Sequence, residues 1–353
     1  MSGLVKNAGR VKKGKVARFG LELLVTCAVL EGVLRLAAPY LGSNMCNELV
    51  RTYSTNAGGG IYFFEPVSRS NFTFPNENRR VAVNGYQWNY QTDERGFRNP
   101  PGTEHEILLL GDSFMIGHGV EEPESAVAQL RQRYGWKIYN MARQGDTIWQ
   151  EYMLFRFWFE ELKPKHVIIC AFGNDFWDIA GQRTPAEQEK PPEFDEAFLQ
   201  QVRHNLTDPQ ICFQYGNWLT NSYLYRLGMM VKRRVFPESP PPAAVAVDKE
   251  AEFGRAGRYY TLLFEDMLKR CRAGGCTLDL VFLDHETDSD DWKKEQARLD
   301  VFFRALCTRN GVRYHTTHSL LRGHKELALP NDGHLNATGN RALADFFAKE
   351  CQF

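Results

Sequence analysis

Glu106-Ile-Leu-Leu-Leu-Gly-Asp-Ser-Phe114 is an apolar run that stops at Gly111, Asp112 and Ser113, ahead of a segment punctuated by Gly117 and Gly119. An apolar run this short reads as a buried strand, the kind found inside parallel sheets. Such strands deliver the residues after them to the crevice outside the carboxyl edge of the sheet, where ligands bind in open α/β folds. The run therefore offers a serine at a ligand edge; in the plainer reading, Asp112 or Ser113 only caps the next helix.

The pattern recurs along the chain. A second strand at 137–140 runs into Met141-Ala-Arg-Gln-Gly-Asp146, and a third at 166–172 ends at Gly173-Asn174-Asp175. Between them a helix over 148–162 stops near Lys163-Pro164, because the residue before a proline disfavours helix. Further strands are expected at 277–283 and 312–314, with helices over 124–134, 257–272, 291–310 and 338–351. Alternation of apolar strands with helices implies a parallel sheet covered on both faces. Residues 42–105 are rich in Asn, Gly, Pro and aromatics and should form short strands and turns over the domain's entrance. Residues 181–255 read as a partly helical insertion with a Pro-rich piece at 237–242. The chemistry-bearing unit is then 106–353.

With 43 Lys+Arg against 43 Asp+Glu in 353 residues, no global field draws the chain to nucleic acid. The start of the chain is asymmetric. Lys6, Arg10, Lys12, Lys13, Lys15 and Arg18 form a basic flank over 1–18, and an apolar stretch over 19–41 comes next. That order is expected of a signal sequence or a retained membrane anchor, which would put the catalytic unit on the extracytoplasmic side. Glu22, Glu31 and Arg35 interrupt the stretch, with Glu31 and Arg35 spaced to pair on one helix face; an amphipathic helix lying on the soluble domain is the alternative. Eight cysteines show no CxxC and no Cys/His array, so neither a metal nor a cofactor is called for. In an exported protein some could be bridged, Cys271 and Cys276 being nearest in sequence.

Ser113, Gly145, Asn174 and the Asp332/His334 pair all come after strands or before the last helix, so one sheet edge could gather them. Acyl transfer needs such a set. A serine hydroxyl is a weak nucleophile, an imidazole must take its proton, a carboxylate must orient the imidazole, and N–H donors must meet the oxyanion.

Gly111-Asp112-Ser113-Phe114, Asn140 with Gly145, Gly173-Asn174-Asp175 and Asp332-Gly-His334-Leu-Asn336 resemble, in order, the four blocks of the SGNH (GDSL-type) hydrolases. The resemblance covers about 80–353. The approach at 93–98 and the N-terminal segment are similar to membrane-associated bacterial members. It implies a flavodoxin-like three-layer α/β/α sandwich and a serine esterase, with Ser113 as nucleophile, His334 as base, and Ser113, Gly145 and Asn174 as oxyanion donors. Phe114 stands where leucine is usual. The family's acid often lies three residues before the histidine, where this chain has Asn331; Asp332, two before, is the assigned acid, and a backbone carbonyl is the alternative orienting group. Asp112, Asp175, Asp284 and His285 are the candidate substrate contacts.

Three functions fit these residues. One is an esterase removing a short, acetyl-like group from a carbohydrate or other envelope ester. A second passes the same acyl group to a glycan hydroxyl. The third is a non-catalytic module that binds glycan or lipid.

Overall fold

Five short strands pair side by side, all parallel, to build the sheet that carries the site. The computed structural model describes residues 4–41, 45, 49, 53–54, 59–83, 85–179, 184–215, 219, 222–236 and 248–351. In chain order they hold α1 (Leu4–Ala37), β1 (Tyr62–Glu65), β2 (Ser70–Thr73), β3 (Asn78–Val83), β4 (Tyr86–Gln91), β5 (Ile107–Gly111), α2 (Ser113–Ile116), α3 (Ala126–Tyr134), β6 (Ile138–Asn140), α4 (Ile148–Leu162), β7 (His166–Ala171) and α5 (Gly173–Trp177). Then come α6 (Glu196–Thr207), α7 (Pro209–Tyr215), α8 (Tyr223–Val235), α9 (Lys249–Ala273), β8 (Thr277–Phe282), α10 (Asp290–Asn310), β9 (Arg313–Thr316), α11 (His318–Leu321) and α12 (Ala337–Glu350).

The sheet order is β9-β8-β7-β5-β6. Counting only these strands, that is the 2-1-3-4-5 order of flavodoxin-like sheets, whose switch point lies between the first and third strands, here β5 and β7. The expected parallel sheet is present. Alternate residues of β5 divide between two apolar layers: Leu108 and Leu110 pack with α4, α9 and α10, while Ile107 and Leu109 pack with α3 and α12. A strand buried on both faces has no polar side to show, which is why 107–110 is uniformly apolar.

Two antiparallel hairpins, β1–β2 and β3–β4, and a short antiparallel pairing of Tyr53–Ser54 with Gly59–Gly60 lie outside the sheet, as the short alternating pieces of 42–105 implied. The turn after β4 is fixed by Asp93, whose carboxylate accepts from the N–H groups of Arg95 and Phe97 and from Asn99 Nδ2. The buried Arg98 then donates to the carbonyls of Ile116, Gly117, Val120 and Asn89.

The described part of the insertion is largely helical (α6, α7, α8), and the next helix begins at Lys249, eight residues earlier than the periodicity suggested. The Pro-rich 237–242 lies outside the described residues. At the N-terminus, α1 is one continuous helix that includes most of 19–41. No described helix is long and apolar enough to cross a membrane, so α1 does not meet the expectation of a spanning segment. Glu31 pairs with Arg35 as expected and also accepts from Ser222 Oγ and the N–H groups of Tyr223 and Leu224, capping α8. Burial opposes its ionisation, but these donors hold its carboxyl down at about 2. All seven described cysteines, Cys271 and Cys276 among them, carry free thiols.

Removing Arg98 costs four carbonyls their donor at once, three of them in buried bonds. Arg98→Met should lower unfolding stability by about 3 kcal/mol, read from the denaturant midpoint at unchanged slope. A loss below ~0.5 kcal/mol would mean that water replaces the guanidinium.

Candidate active site

Ser113 opens α2 directly beyond β5, at the switch point of the sheet. Asp112 is the N-cap: its Oδ1 accepts from Phe114 N at 3.0 Å, and its Oδ2 lies 3.3 Å from Ser113 Oγ. The capping reading is thus realised, and the turn that caps the helix also sets the direction of the Ser113 hydroxyl. Asn140, at the end of β6, holds the turn from the side, donating from Nδ2 to Met115 O at 2.8 Å.

His334 arrives from the loop before α12. Its Nε2 lies 2.7 Å from Ser113 Oγ, and its Nδ1 is hydrogen-bonded to Asp332 Oδ1. With the ring proton on Nδ1 against the carboxylate, Nε2 is left to accept from the serine hydroxyl. Asp332 reaches the ring from only two residues away because the loop curls tightly. Asn331 (φ 63°) and Gly333 (φ 89°) both adopt left-handed backbone, and Leu329 N closes the loop onto His334 O at 2.6 Å. The family's position, Asn331, is used for the bend and not for the acid.

The cleft has a volume of about 400 Å³ and its walls include Asp112, Ser113, Gly145, Asn174, His285, Asp332 and His334. The three expected oxyanion donors therefore border one space with the nucleophile. Gly145 needs its glycine for a φ of 68°. Gly173, in front of Asn174, has no room for a Cβ, which would stand 2.6 Å from the Trp292 ring; that ring forms part of the cleft wall.

Of the expected substrate contacts, His285 borders the cleft, packed edge-on against Phe114. Burial pushes its imidazole down to about 4, so it faces the cleft uncharged at neutral pH. Asp112 also borders the cleft, but its oxygens are committed to the cap. The other two are not among the cleft walls. Asp175 is buried and outside the cleft walls; its Oδ2 accepts from Phe172 N, capping α5. Asp284 is buried against His318 Nδ1 and Arg322 Nε, at 2.7 and 2.8 Å. An acidic residue just after a strand is well placed to cap or pair, and these two do.

Sequence reasoning missed His118, although the Gly117-His118-Gly119 step is legible five residues beyond the nucleophile. Its ring stacks on His334 with centroids 4.1 Å apart, and its Nε2 lies 3.6 Å from Asp332 Oδ2. On the other side, Nδ1 meets Gln144 Oε1 at 3.1 Å, and Trp88 packs 4.9 Å from the ring. The Asp332 carboxylate thus stands between two imidazoles. Among the described residues, two groups have donor spacing for a metal ion: His118, Asp332 and His334, and Asp279, His315 and Cys351. In the first, Asp332 Oδ1 and His334 Nδ1 are already bonded to each other; in the second, Asp279 is ion-paired with Arg313 at 2.8 Å.

Burial drives the His334 imidazole below the ordinary histidine value; the Asp332 hydrogen bond opposes this, and the neighbouring His118 adds to the lowering. A base of lowered pKa is unprotonated at neutral pH, so turnover should fall on the acid side only below the usual histidine range. His118→Phe keeps a stacked ring but removes both nitrogens. It should cut kcat by about tenfold to a hundredfold through loss of Asp332 positioning, with KM little changed. It should also move the acid limb to higher pH, since a group that lowers the His334 pKa has gone. An unchanged pH profile and kcat would reduce His118 to packing.

A sequence-family model described as the GDSL-like Lipase/Acylhydrolase family matches residues 109–342, well over half of the chain. No curated protein matches. Similar solved structures include TesA, 14% identical with a TM-score of 0.41 over 70% of this chain and 97% of that one. The esterase EstA from Pseudoalteromonas sp. is 13% identical, with a TM-score of 0.40 over 69% and 95%. An acetyl xylan esterase, AlAXEase, is 14% identical, with a TM-score of 0.40 over 68% and 96%. The family match runs from the strand that carries Ser113 into the helix beyond His334, and on it the chain belongs to the GDSL-like lipase/acylhydrolase family and is an ester hydrolase.

Proposed function

We propose that the protein is a serine esterase that removes a short, acetyl-like acyl group from a carbohydrate or other envelope ester through an acyl-enzyme on Ser113. The observation that carries this is the unbroken hydrogen-bonded chain from Asp332 through His334 to Ser113 Oγ. In the first half-reaction Oγ attacks the ester carbonyl while His334 Nε2 takes its proton. The oxyanion forms beside the N–H groups of Ser113 and Gly145 and the Asn174 amide. His334 then returns the proton to the departing alcohol, leaving Ser113 acylated. Water repeats the sequence with the same imidazole as base and frees the acid.

A short acyl group is supported by the walls of the cleft. Phe114 and Phe172 pack with centroids 4.6 Å apart, His285 lies 4.9 Å from Phe172, and Trp292 stands 6.2 Å from it. Those rings bound a space of about 400 Å³ that holds the acyl group together with the ester linkage. In this proposal the enzyme works at a membrane, on its extracytoplasmic side, with α1 lying along the surface. The basic flank and the exposed Phe19, Leu24 and Leu36 support that placement. Full-length chain should sediment with vesicles containing anionic lipid, and chain lacking 1–41 should not; equal behaviour of the two would remove α1 from this role.

The site assignment is checked by intact-mass spectrometry after exposure to a fluorophosphonate. One adduct is expected on the unmutated chain and none on Ser113→Ala. Asp332→Asn should lower the turnover of p-nitrophenyl acetate by orders of magnitude, about 10⁴-fold if it behaves like the same change in a serine protease triad. Less than a tenfold loss would give the orienting role to another group.

A further inference from the structure

Beside the catalytic cleft lies a second cavity of about 240 Å³, and Gln144 and Gly145 belong to the walls of both. Its far side comes from the N-terminal extension and not from the sheet: the end of the β1–β2 turn and the start of β2 supply Arg69, Ser70 and Asn71. Arg143 and Trp149 complete the part that matters here. Building on the esterase assignment above, we infer that this cavity receives the alcohol side of the ester, and that the alcohol carries an anionic group, a carboxylate or a phosphate.

Three charged side chains border the cavity, and two of them cancel. Arg143 Nε meets Asp146 Oδ2 at 2.8 Å with both side chains buried, and Arg143 Nη1 donates to Asn71 O at 2.7 Å. Arg69 is exposed and makes no hydrogen bond or ion pair among the described residues. It also stands at φ 57°, a left-handed turn position that glycine would fill with less strain. The cavity is therefore left with one uncommitted positive charge, carried on a planar fork suited to carboxylate or phosphate oxygens. Ser70, Asn71 and Gln144 add polar groups of the kind that meet hydroxyls, and Trp149 adds an apolar face.

Size and position fit a leaving group. The volume falls below the usual range for ligand pockets, ~300–1,000 Å³, so it suits one ring or one headgroup and not a chain. At Gly145 a Cβ would meet no atom within 4 Å, so the space beside this oxyanion residue is open. An ester whose carbonyl sits at Ser113 can extend its alcohol past that point.

The experiment compares four acetyl esters on the full chain and on Arg69→Gln: an acetylated galacturonate oligosaccharide, acetylglycerol 3-phosphate, an acetylated neutral xylo-oligosaccharide and p-nitrophenyl acetate. The anionic esters should exceed the neutral sugar about tenfold in kcat/KM, a single charge-assisted contact. That preference should shrink in high salt and vanish in Arg69→Gln, while p-nitrophenyl acetate turnover stays unchanged. The better of the two anionic esters tells carboxylate from phosphate. Equal rates for neutral and anionic esters, or an Arg69→Gln loss shared by p-nitrophenyl acetate, would overturn the inference. If no ester is turned over and no fluorophosphonate adduct forms, the esterase assignment is what has failed. The cavity is then judged by titrating Ser113→Ala with galacturonate and with glycerol 3-phosphate: Arg69-dependent binding upholds it and absence of binding removes it.

Discussion

The active turn depends on a buried guanidinium. Ser113 sits in a single turn of helix that gives way to irregular backbone, and a helix that short leaves its last carbonyls without partners. Arg98 supplies them, reaching Ile116 O and Gly117 O at 2.9 and 2.7 Å and Val120 O at 2.8 Å. Its own position is set by its neighbours in the same turn: Asn99 exchanges hydrogen bonds with the Asn140 backbone, and Asp93 accepts from Asn99 and from the Tyr139 hydroxyl. Asn140 then closes the circuit onto Met115 O. The extension that precedes the sheet is thereby part of the catalytic frame. It fixes the backbone that carries Ser113 and His118.

The same extension reaches the other half of the site. Tyr86, at the start of β4, donates its hydroxyl to Pro330 O at 2.6 Å, just before the curled Asn331-Asp332-Gly333 step. On the far side Asn336 caps α12 through Gly339 N and returns its amide to Glu326 O and Ala328 O. A loop with two left-handed residues costs backbone strain. Here it is held at both ends, so Asp332 and His334 keep their register although only one residue separates them. His118 adds a third constraint from below, stacking against the ring it helps to orient.

The features legible in the sequence are those that periodicity and local chemistry mark. The strands at 107–110 and 166–171 were legible because burial on both faces leaves a nearly uninterrupted apolar run, and the end of 148–162 was legible because Lys163-Pro164 stops the helix. Ser113, Gly145, Asn174, Asp332 and His334 were legible because each comes after a strand or before the last helix, and the structure gathers all five around one cleft. Asp175 and Asp284 are not among the cleft walls: the same strand-end position suits a cap or an ion pair, and nothing in the local sequence separates these fates. His118 and Arg98 were overlooked as functional parts for a different reason. Their partners lie on other segments, Asp332 near the far end of the chain for His118 and the nucleophile turn 18 to 22 residues on for Arg98. Side-chain stacking and carbonyl capping across such gaps leave no period to read.

The remaining burden of the site is electrostatic. Asp112, Asp146, Glu151 and Asp175 are all buried behind or beside the nucleophile. Were all four ionised, their field would oppose the oxyanion that the donors are arranged to receive. Burial works against that state. It pushes Asp112 up to about 7 and raises Glu151 and Asp175 well above the carboxylate range, with their mutual repulsion adding to the effect. Asp146 is raised too, but Arg143 beside it offsets its charge. Neither carboxyl oxygen of Glu151 makes a hydrogen bond among the described residues, which a neutral acid tolerates far better than an anion. Asp332, by contrast, faces both imidazoles and accepts from the backbone N–H of His334. The fold thus gives its acids different surroundings: burial works against charge on Asp112, Glu151 and Asp175, while Asp332 is met by hydrogen-bond donors.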